Sequence, residues 1–152
     1  MQRRLILKTI LGAMILLPMQ VFAKANDKLS NMLWNKSAFE SEKISVTTSK
    51  LNISHETVSQ AIEIIAPDKA ENGAIVQVQV TSHLPNTESI VILAEHNPTP
   101  LIAEFIFSVN ALPFVVTRIK MADSAAIKVI VKADGQFFTN SKNVEVLSNG
   151  CG

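Results

Sequence analysis

The sequence has few of the residues that build metal, redox or nucleic-acid sites. A single cysteine among 152 residues excludes an internal disulfide, a zinc finger and an iron–sulfur cluster held by this chain alone. The formal net charge is only +1, which gives no indication of a basic surface for nucleic acid. Tyrosine is absent, but hydrophobic residues make up 47% of the chain, which excludes a disordered protein. The composition therefore indicates one small globular domain.

Residues 1–23 have the layout of a secretory signal peptide. Arg3 and Arg4 precede an apolar run over residues 5–17, and residues 21–23 (Val-Phe-Ala) offer a signal-peptidase site. The segment RRLILK also matches the twin-arginine pattern, with a plain Sec signal as the alternative. A permanent anchor is disfavoured, because a transmembrane helix needs about 20 apolar residues. The expected location is the periplasm, with no membrane anchor after cleavage.

Residues 24–58 are expected to form a short N-terminal helix and a loop. Apolar side chains between Asn26 and Phe39 have roughly helical spacing. The segment 40–56 is polar, rich in serine, threonine and lysine, and weakly patterned. It predicts a loop with one short strand around Ile44–Val46.

From residue 59 to residue 147 the sequence predicts a β-sandwich. Alternating or fully apolar runs are bounded by proline, glycine and asparagine, as is typical of strands. Turns are predicted at residues 68–73, where Asn72-Gly73 favours positive φ, and at Asp134-Gly135. The predicted strands lie at residues 61–65, 75–80, 90–94, 103–109, 114–121, 127–133, 137–139 and 144–147. This pattern favours an all-β, immunoglobulin-like antiparallel sandwich, with a small barrel as the alternative.

Residues 148–152 (Ser-Asn-Gly-Cys-Gly) follow the last predicted strand and are expected to form a flexible arm. Asn149, Gly150 and Gly152 offer nothing large enough to pack in a core, and glycine leaves the backbone loose. Five extended residues reach about 16–18 Å, so Cys151 is expected near the end of a tether. A thiol there suits a covalent carrier of sulfur, because thiols form and release S–S bonds by exchange.

Three other interpretations of the thiol stay open. Cys151 could be a small buried hydrophobe, although its position after the last strand disfavours this. It could form an interchain disulfide, either in a structural β-sandwich subunit or in a self-associated carrier. A thiol–disulfide enzyme is the third, disfavoured because the chain has no second, resolving cysteine.

Charged and titratable residues elsewhere give weaker indications. Arg118 and Lys120 share one face of a predicted strand and are candidate anion contacts, with a solvated strand face as the alternative. His55, His83 and His96 lie far apart, and no short ligand spacing predicts a metal site. No serine–histidine–aspartate set or phosphate-binding glycine loop is recognisable.

The sequence resembles the SoxY family, the sulfur-compound carriers of the periplasmic thiosulfate-oxidising Sox system. The resemblance lies in the segments APDKAENGAIVQVQV, HNPTP, VVTRIKMA and KADGQFFTNSKNVEVLSNGCG, whose ending is similar to the family's GGCGG. It covers residues 62–152. Asn149 stands where the family usually has glycine, and the sequence ends one glycine earlier, so a slightly stiffer and shorter arm is expected.

The resemblance implies a fold, a role and partners. SoxY-like proteins form an immunoglobulin-like sandwich and pair as a heterodimer with SoxZ, which is exported with them. A haem-containing enzyme would join Cys151 oxidatively to thiosulfate, and a hydrolytic enzyme would then release sulfate and leave sulfane sulfur on Cys151. The carrier itself would have no catalytic site and no cofactor, and Arg118 and Lys120 fit its anionic adducts.

Overall fold

The architecture follows from the apolar alternation of the second half of the chain. The structure, a computed structural model, describes residues 35–147. Two helices come first, α1 (Lys36–Phe39) and α2 (Ile44–Lys50). The strands that follow are β1 (Thr57–Val58), β2 (Ile62–Ile65), β3 (Lys69–Ala70), β4 (Val76–Ser82), β5 (Thr87–Ala94), β6 (Leu101–Ile106), β7 (Phe114–Ile119), β8 (Ala125–Ala133) and β9 (Gln136–Val146). No helix within residues 35–147 has the length and hydropathy of a bilayer-spanning segment.

The strands form two sheets, which confirms the all-β sandwich predicted from the sequence. The larger sheet has the order β1-β9-β8-β5-β6, with β3 also pairing with β9, and the smaller has the order β2-β4-β7. The long pairings are antiparallel, whereas the two-residue strands β1 and β3 pair with β9 in parallel. Both short strands therefore pair with β9, β1 near its start and β3 at its end.

Apolar residues of the larger sheet are buried on both of its faces. Ile90 and Ile92 point between the sheets and pack with Val78 and Val80 of β4. Val91 and Leu93 point the other way, into a second cluster with α1 and the residues around α2. This double burial explains the uninterrupted apolar run over residues 90–94, because a strand covered on both faces needs no polar alternation.

Helix α2 replaces the loop and short strand expected at Ile44–Val46, so that prediction was wrong. Thr47 is fully buried in the helix, and its hydroxyl donates a hydrogen bond to the Lys43 carbonyl at 3.1 Å. Ile44 and Leu51 pack on the second cluster. The spacing Ile44, Thr47, Leu51 is helical, but β-branched and hydroxyl side chains have low helix propensity. Packing of one face against the sheet outweighs that local preference.

The turn predicted at residues 68–73 was also wrong. Instead of a hairpin with positive φ at Asn72-Gly73, the segment crosses to the other sheet, where Lys69–Ala70 forms β3 on the edge of β9. The Asn72 side chain accepts a hydrogen bond from the Ala74 amide at 2.7 Å, a local turn that needs no left-handed residue. The Asp134-Gly135 hairpin is confirmed, with φ of 49° and 71°.

Several boundaries differ from the prediction. The two predicted strands at 137–139 and 144–147 are one continuous strand, β9, because its residues from Gln136 to Val144 pair without interruption with β8. The predicted signal peptide at 1–23, most of the predicted N-terminal helix and the predicted arm at 148–152 lie outside the described residues. Of that helix, α1 is the described part.

Candidate functional site

The end of β9 is the last described part of the chain before the segment that carries Cys151. We call Val146 and Leu147 the tail root. The Leu147 amide donates a hydrogen bond to the Ala70 carbonyl at 2.9 Å, and the Glu145 amide donates to the Asp68 carbonyl at 2.9 Å. These ladder bonds of β3 hold β9 in register up to its last residue, so the fold fixes the position of Leu147.

Ion pairs reinforce the same contact. Lys69 Nζ lies 3.1 Å from Glu145 Oε2, both side chains being more than half exposed. Lys142 donates to Asp68 Oδ1. The hydrogen bond and the charge of Lys142 lower the pKa of the Asp68 carboxyl from its usual 3.8. Such exposed pairs add little stability individually, so their role here is to help orient the tail root.

The loop that precedes β8 also contacts the tail root. The Val146 amide donates a hydrogen bond to Ser124 Oγ at 2.9 Å. The Ser124 carbonyl oxygen in turn lies 2.8 Å from His96 Nδ1, which donates when that nitrogen carries the proton. The neighbouring Asn97 binds the same loop twice, because its Nδ2 donates to the Lys120 carbonyl and its Oδ1 accepts from the Ala122 amide, both at 2.7 Å.

These contacts show that the His96-Asn97-Pro98 segment holds the loop beside the tail root, a structural role that the sequence did not reveal. The sequence marked it only as a strand break. In the structure, Asn97 fixes residues 120–122, and Ser124 then connects that loop to the tail root. An asparagine directly before a proline was the available signal, because its amide is a ready partner for a nearby backbone.

Gly73 is needed for close approach rather than for a left-handed conformation. An added Cβ would lie 2.3 Å from the Met121 carbonyl oxygen and 3.0 Å from a methyl carbon of Val146. The Met121 amide donates to the Gly73 carbonyl at 2.8 Å. Residues 73, 121 and 146 therefore meet at one point, so the tail root packs where the two sheets are joined.

The predicted anion contacts come together at a pocket. Arg118 lies in β7, Lys120 is one residue past its end, and both are exposed. They line a surface pocket of about 480 Å³ together with Asn97, Ile102 and Ala122. The sequence placed these two cations on one face; it gave no sign that the Asn97 loop would complete a concavity beside them.

The three histidines are not brought together. His83 Nε2 lies 3.5 Å from Glu63 Oε2 of the smaller sheet, whereas His96 contacts the carbonyl of Ser124 in the loop before β8. Within residues 35–147 no three His, Cys, Asp or Glu side chains form a group suited to a metal ion. Cys151 and the predicted arm residues Asn149, Gly150 and Gly152 lie outside that described range.

Comparisons with known proteins identify the family. Residues 48–151 match the sequence model of the family described as sulfur oxidation protein SoxY. That match spans more than half of the chain, begins within α2 and ends on Cys151. The chain therefore belongs to the SoxY family.

A solved structure agrees with this assignment. The sulfur carrier protein SoxY from Chlorobium limicola f thiosulfatophilum is 32% identical over 67% of this chain and 93% of its own, with a TM-score of 0.61. A superoxide reductase (neelaredoxin) from Ignicoccus hospitalis, the E23A form, is 19% identical over 64% of this chain and 86% of its own, with a TM-score of 0.50. The second likeness shows only a shared fold. Among curated proteins, none matches the chain.

Proposed function

We propose that this protein carries sulfur intermediates during sulfur oxidation, covalently bound to Cys151. The observation that carries the proposal is the family match, which reaches Cys151, the single cysteine of the sequence. Support comes from the tail root, where β3 and Ser124 fix the point from which residues 148–152 depart. The SoxY protein from Chlorobium, to which this chain is similar, is a sulfur carrier protein.

The chemistry needs one thiolate and an external electron acceptor. The thiolate of Cys151 and a thiosulfate dianion combine to form an S–S bond. The product is an S-thiosulfonate with one negative charge, and two electrons are released. A haem-containing partner accepts both electrons. Hydrolysis then breaks the S–S bond to the sulfonate group: water supplies the fourth oxygen of sulfate, two protons are released, and the persulfide anion remains on Cys151. A free thiol has a pKa of about 8.5, so a partner that lowers this pKa would speed the first step.

The carrier has no catalytic role of its own in this proposal. It forms a heterodimer with a SoxZ-like subunit and presents its adduct in turn to haem-containing and hydrolytic enzymes. Exchange between enzymes requires that the adduct project from the sandwich, and residues 148–150 contain only small side chains between Leu147 and the thiol. Export by the segment 1–23, of twin-arginine type, would bring the protein to the periplasm.

Mass spectrometry of the intact protein under non-reducing conditions tests the proposal. The purified protein is incubated with thiosulfate, its SoxZ-like subunit and the haem-containing partner. We expect a thiosulfonate adduct that localises to Cys151, and loss of thiosulfate oxidation in a strain carrying Cys151→Ser. Ser141→Ala, an exposed substitution on β9, is the control that should leave both unchanged.

A structural subunit with an interchain disulfide gives a different result. The wild type would then be recovered as a disulfide-linked dimer without any sulfur adduct. Sulfur oxidation would continue in the Cys151→Ser strain, and the carrier proposal would be wrong.

A further inference from the structure

We propose that the free edge of β6 receives an extended segment of a partner protein, which carries a lysine or arginine across from Glu104. The added segment would lie beside β6 as a further strand of the larger sheet. We call Glu104 and Ile106, together with the groove that they line, the β6 edge. This docking surface is separate from the carrier chemistry proposed above, because it involves neither Cys151 nor the tail root.

One side of the β6 backbone is unpaired. Of the described strands, only β5 pairs with β6. The Phe107 amide donates a hydrogen bond to the Glu88 carbonyl at 2.9 Å, so in the alternating antiparallel ladder the amides and carbonyls of Glu104 and Ile106 point away from β5. The structure gives those groups no backbone partner within residues 35–147. Such an edge is a template for an added strand.

A groove on the outer face of the larger sheet accompanies this edge. Its volume is about 460 Å³, and Glu104 and Ile106 line it together with Val91. Leu51 and Ile53, which follow α2, form an apolar wall. Ile106 is 66% exposed. An added strand would place every second side chain over this groove, because residues i and i+2 share one face of a sheet.

Glu104 gives the groove an acidic group that has no partner in the described part of the chain. No hydrogen bond or ion pair joins its carboxylate to another described residue. The residue is exposed, yet burial of its carboxyl raises the pKa from the usual 4.5. Glu88, the other carboxylate of the groove, already accepts from Lys132 Nζ at 2.5 Å and from the Gly135 amide at 2.8 Å. A cationic side chain across from Glu104 would supply the missing partner.

The same carboxylate disfavours a second copy of this chain as the occupant. Two β6 strands paired antiparallel around a two-fold axis, in central registers with their outer faces aligned, would bring the two Glu104 side chains opposite or diagonal to each other. Like charges in those positions are destabilising, and charged edge residues prevent self-pairing in this way. A partner strand with a basic residue replaces this repulsion with an attraction, which gives the edge its selectivity.

The β6 edge and the tail root lie at opposite ends of the larger sheet. In the β8–β9 ladder, Ala125 pairs with Val144 beside the tail root, and Lys132, which lines the groove, pairs with Phe137. The seven residue steps from 125 to 132 correspond to about 23 Å along β8. A partner held at the β6 edge would therefore leave the tail root uncovered, and we expect its binding to be independent of the state of Cys151.

Synthetic strands test the inference on isotope-labelled protein kept under reducing conditions. The probe is the acetylated and amidated peptide Thr-Val-Thr-Lys-Thr-Val-Thr, in which the lysine and both valines share one face. Matched peptides carry glutamine or glutamate in place of lysine. We expect amide NMR shifts at residues 102–107, with a dissociation constant for the lysine peptide about two- to fivefold lower than for the glutamine peptide, the range of one exposed ion pair. The glutamate peptide should bind most weakly.

Protein variants identify the groups that recognise the strand. Glu104→Gln should bind the lysine and glutamine peptides equally, whereas Glu42→Gln, which removes an exposed carboxylate before α2, should keep the preference for lysine. Ile106→Pro removes an amide that points away from β5, a position at which edge strands accept proline, and should weaken the binding of every peptide. The Phe107 amide should remain protected from hydrogen exchange in this variant, which shows that β6 is intact.

Several outcomes overturn the inference. Equal affinity of the three peptides for wild type would show that Glu104 does not select a basic strand, and an absence of shifts at residues 102–107 would show that the edge does not take one. Identical shifts from butylamine alone would indicate a cation pocket without strand addition. Shifts that depend on protein concentration without peptide would make a second copy the occupant. The carrier proposal is tested separately, because none of these measurements depends on an adduct at Cys151.

Discussion

The two sheets of the sandwich are built from similar apolar strands but are covered differently. In the larger sheet, residues 90–94 are all buried, the most exposed being Val91 at 3%. In the smaller sheet, Val116 is 52% exposed and Phe114 is 42% exposed. The helices and Ile53 cover the outer face of the larger sheet, whereas these two side chains of β7 stay about half exposed. The larger sheet is thus a scaffold, and the smaller sheet presents a surface.

The tail root belongs to the scaffold, although it lies where the two sheets are joined. β9 is a strand of the larger sheet, and Gly73 and Met121 connect its end to the smaller one. The function proposed above requires a rigid departure point for the group that carries sulfur, and burial of the larger sheet on both faces supplies that rigidity. The exposed face of the smaller sheet stays available for contacts.

The largest expected effect breaks the scaffold. Leu93→Ala removes a fully buried side chain from the cluster between β5 and the helices, and we expect a loss of about 2–5 kcal/mol in the free energy of unfolding. Val116→Ala on the open face should change it by no more than about 0.5 kcal/mol. Urea unfolding of both variants measures the difference. Equal losses would mean that the face of β7 is buried in the folded protein after all.

An intermediate effect is expected at the junction of the sheets. Gly73→Ala places a methyl group against the Met121 carbonyl and should cost about 1–3 kcal/mol, because backbone has to shift. It should also speed hydrogen exchange at the Val146 and Leu147 amides. Gly135→Ala is the matched control: its φ of 71° makes alanine unfavourable, but nothing lies within 4 Å of the added carbon. Its effect should stay within the β8–β9 hairpin and leave the tail-root amides unchanged.

The sequence was sufficient where periodicity and turn chemistry decide the structure, and insufficient where long-range contacts do. The run at residues 90–94 and the Asp134-Gly135 turn identify a buried strand and a hairpin, because burial and left-handed φ are local demands on residue type. Helix α2 and strand β3 were missed since each forms against a partner distant in sequence, the larger sheet for α2 and the end of β9 for β3.

The same distinction applies to the candidate site. Cys151 could be selected from the sequence because it is the single thiol and follows the last strand. Arg118 and Lys120 could be paired by strand alternation alone. Asn97 and Ser124 could not be connected with the tail root, because their bonds to Ala122 and Val146 join residues 25 and 22 positions apart.

The smallest expected effect comes from weakening the exposed ion pair between Lys142 and Asp68 near the tail root. Lys142 lowers the pKa of the Asp68 carboxyl, so the folded state holds this group ionised to a lower pH than the unfolded chain does. The resulting stabilisation is present above the usual value of 3.8 and is lost as the pH falls through the lowered folded value. An NMR titration of the Asp68 carboxyl carbon should show this shift, and Lys142→Gln should return the midpoint towards the usual value. Added salt should do so in part, because exposed pairs are screened, while the buried residues of β5 should show no change over the same pH range. A midpoint that is insensitive to Lys142→Gln would mean that Lys142 does not interact with the Asp68 carboxylate in solution.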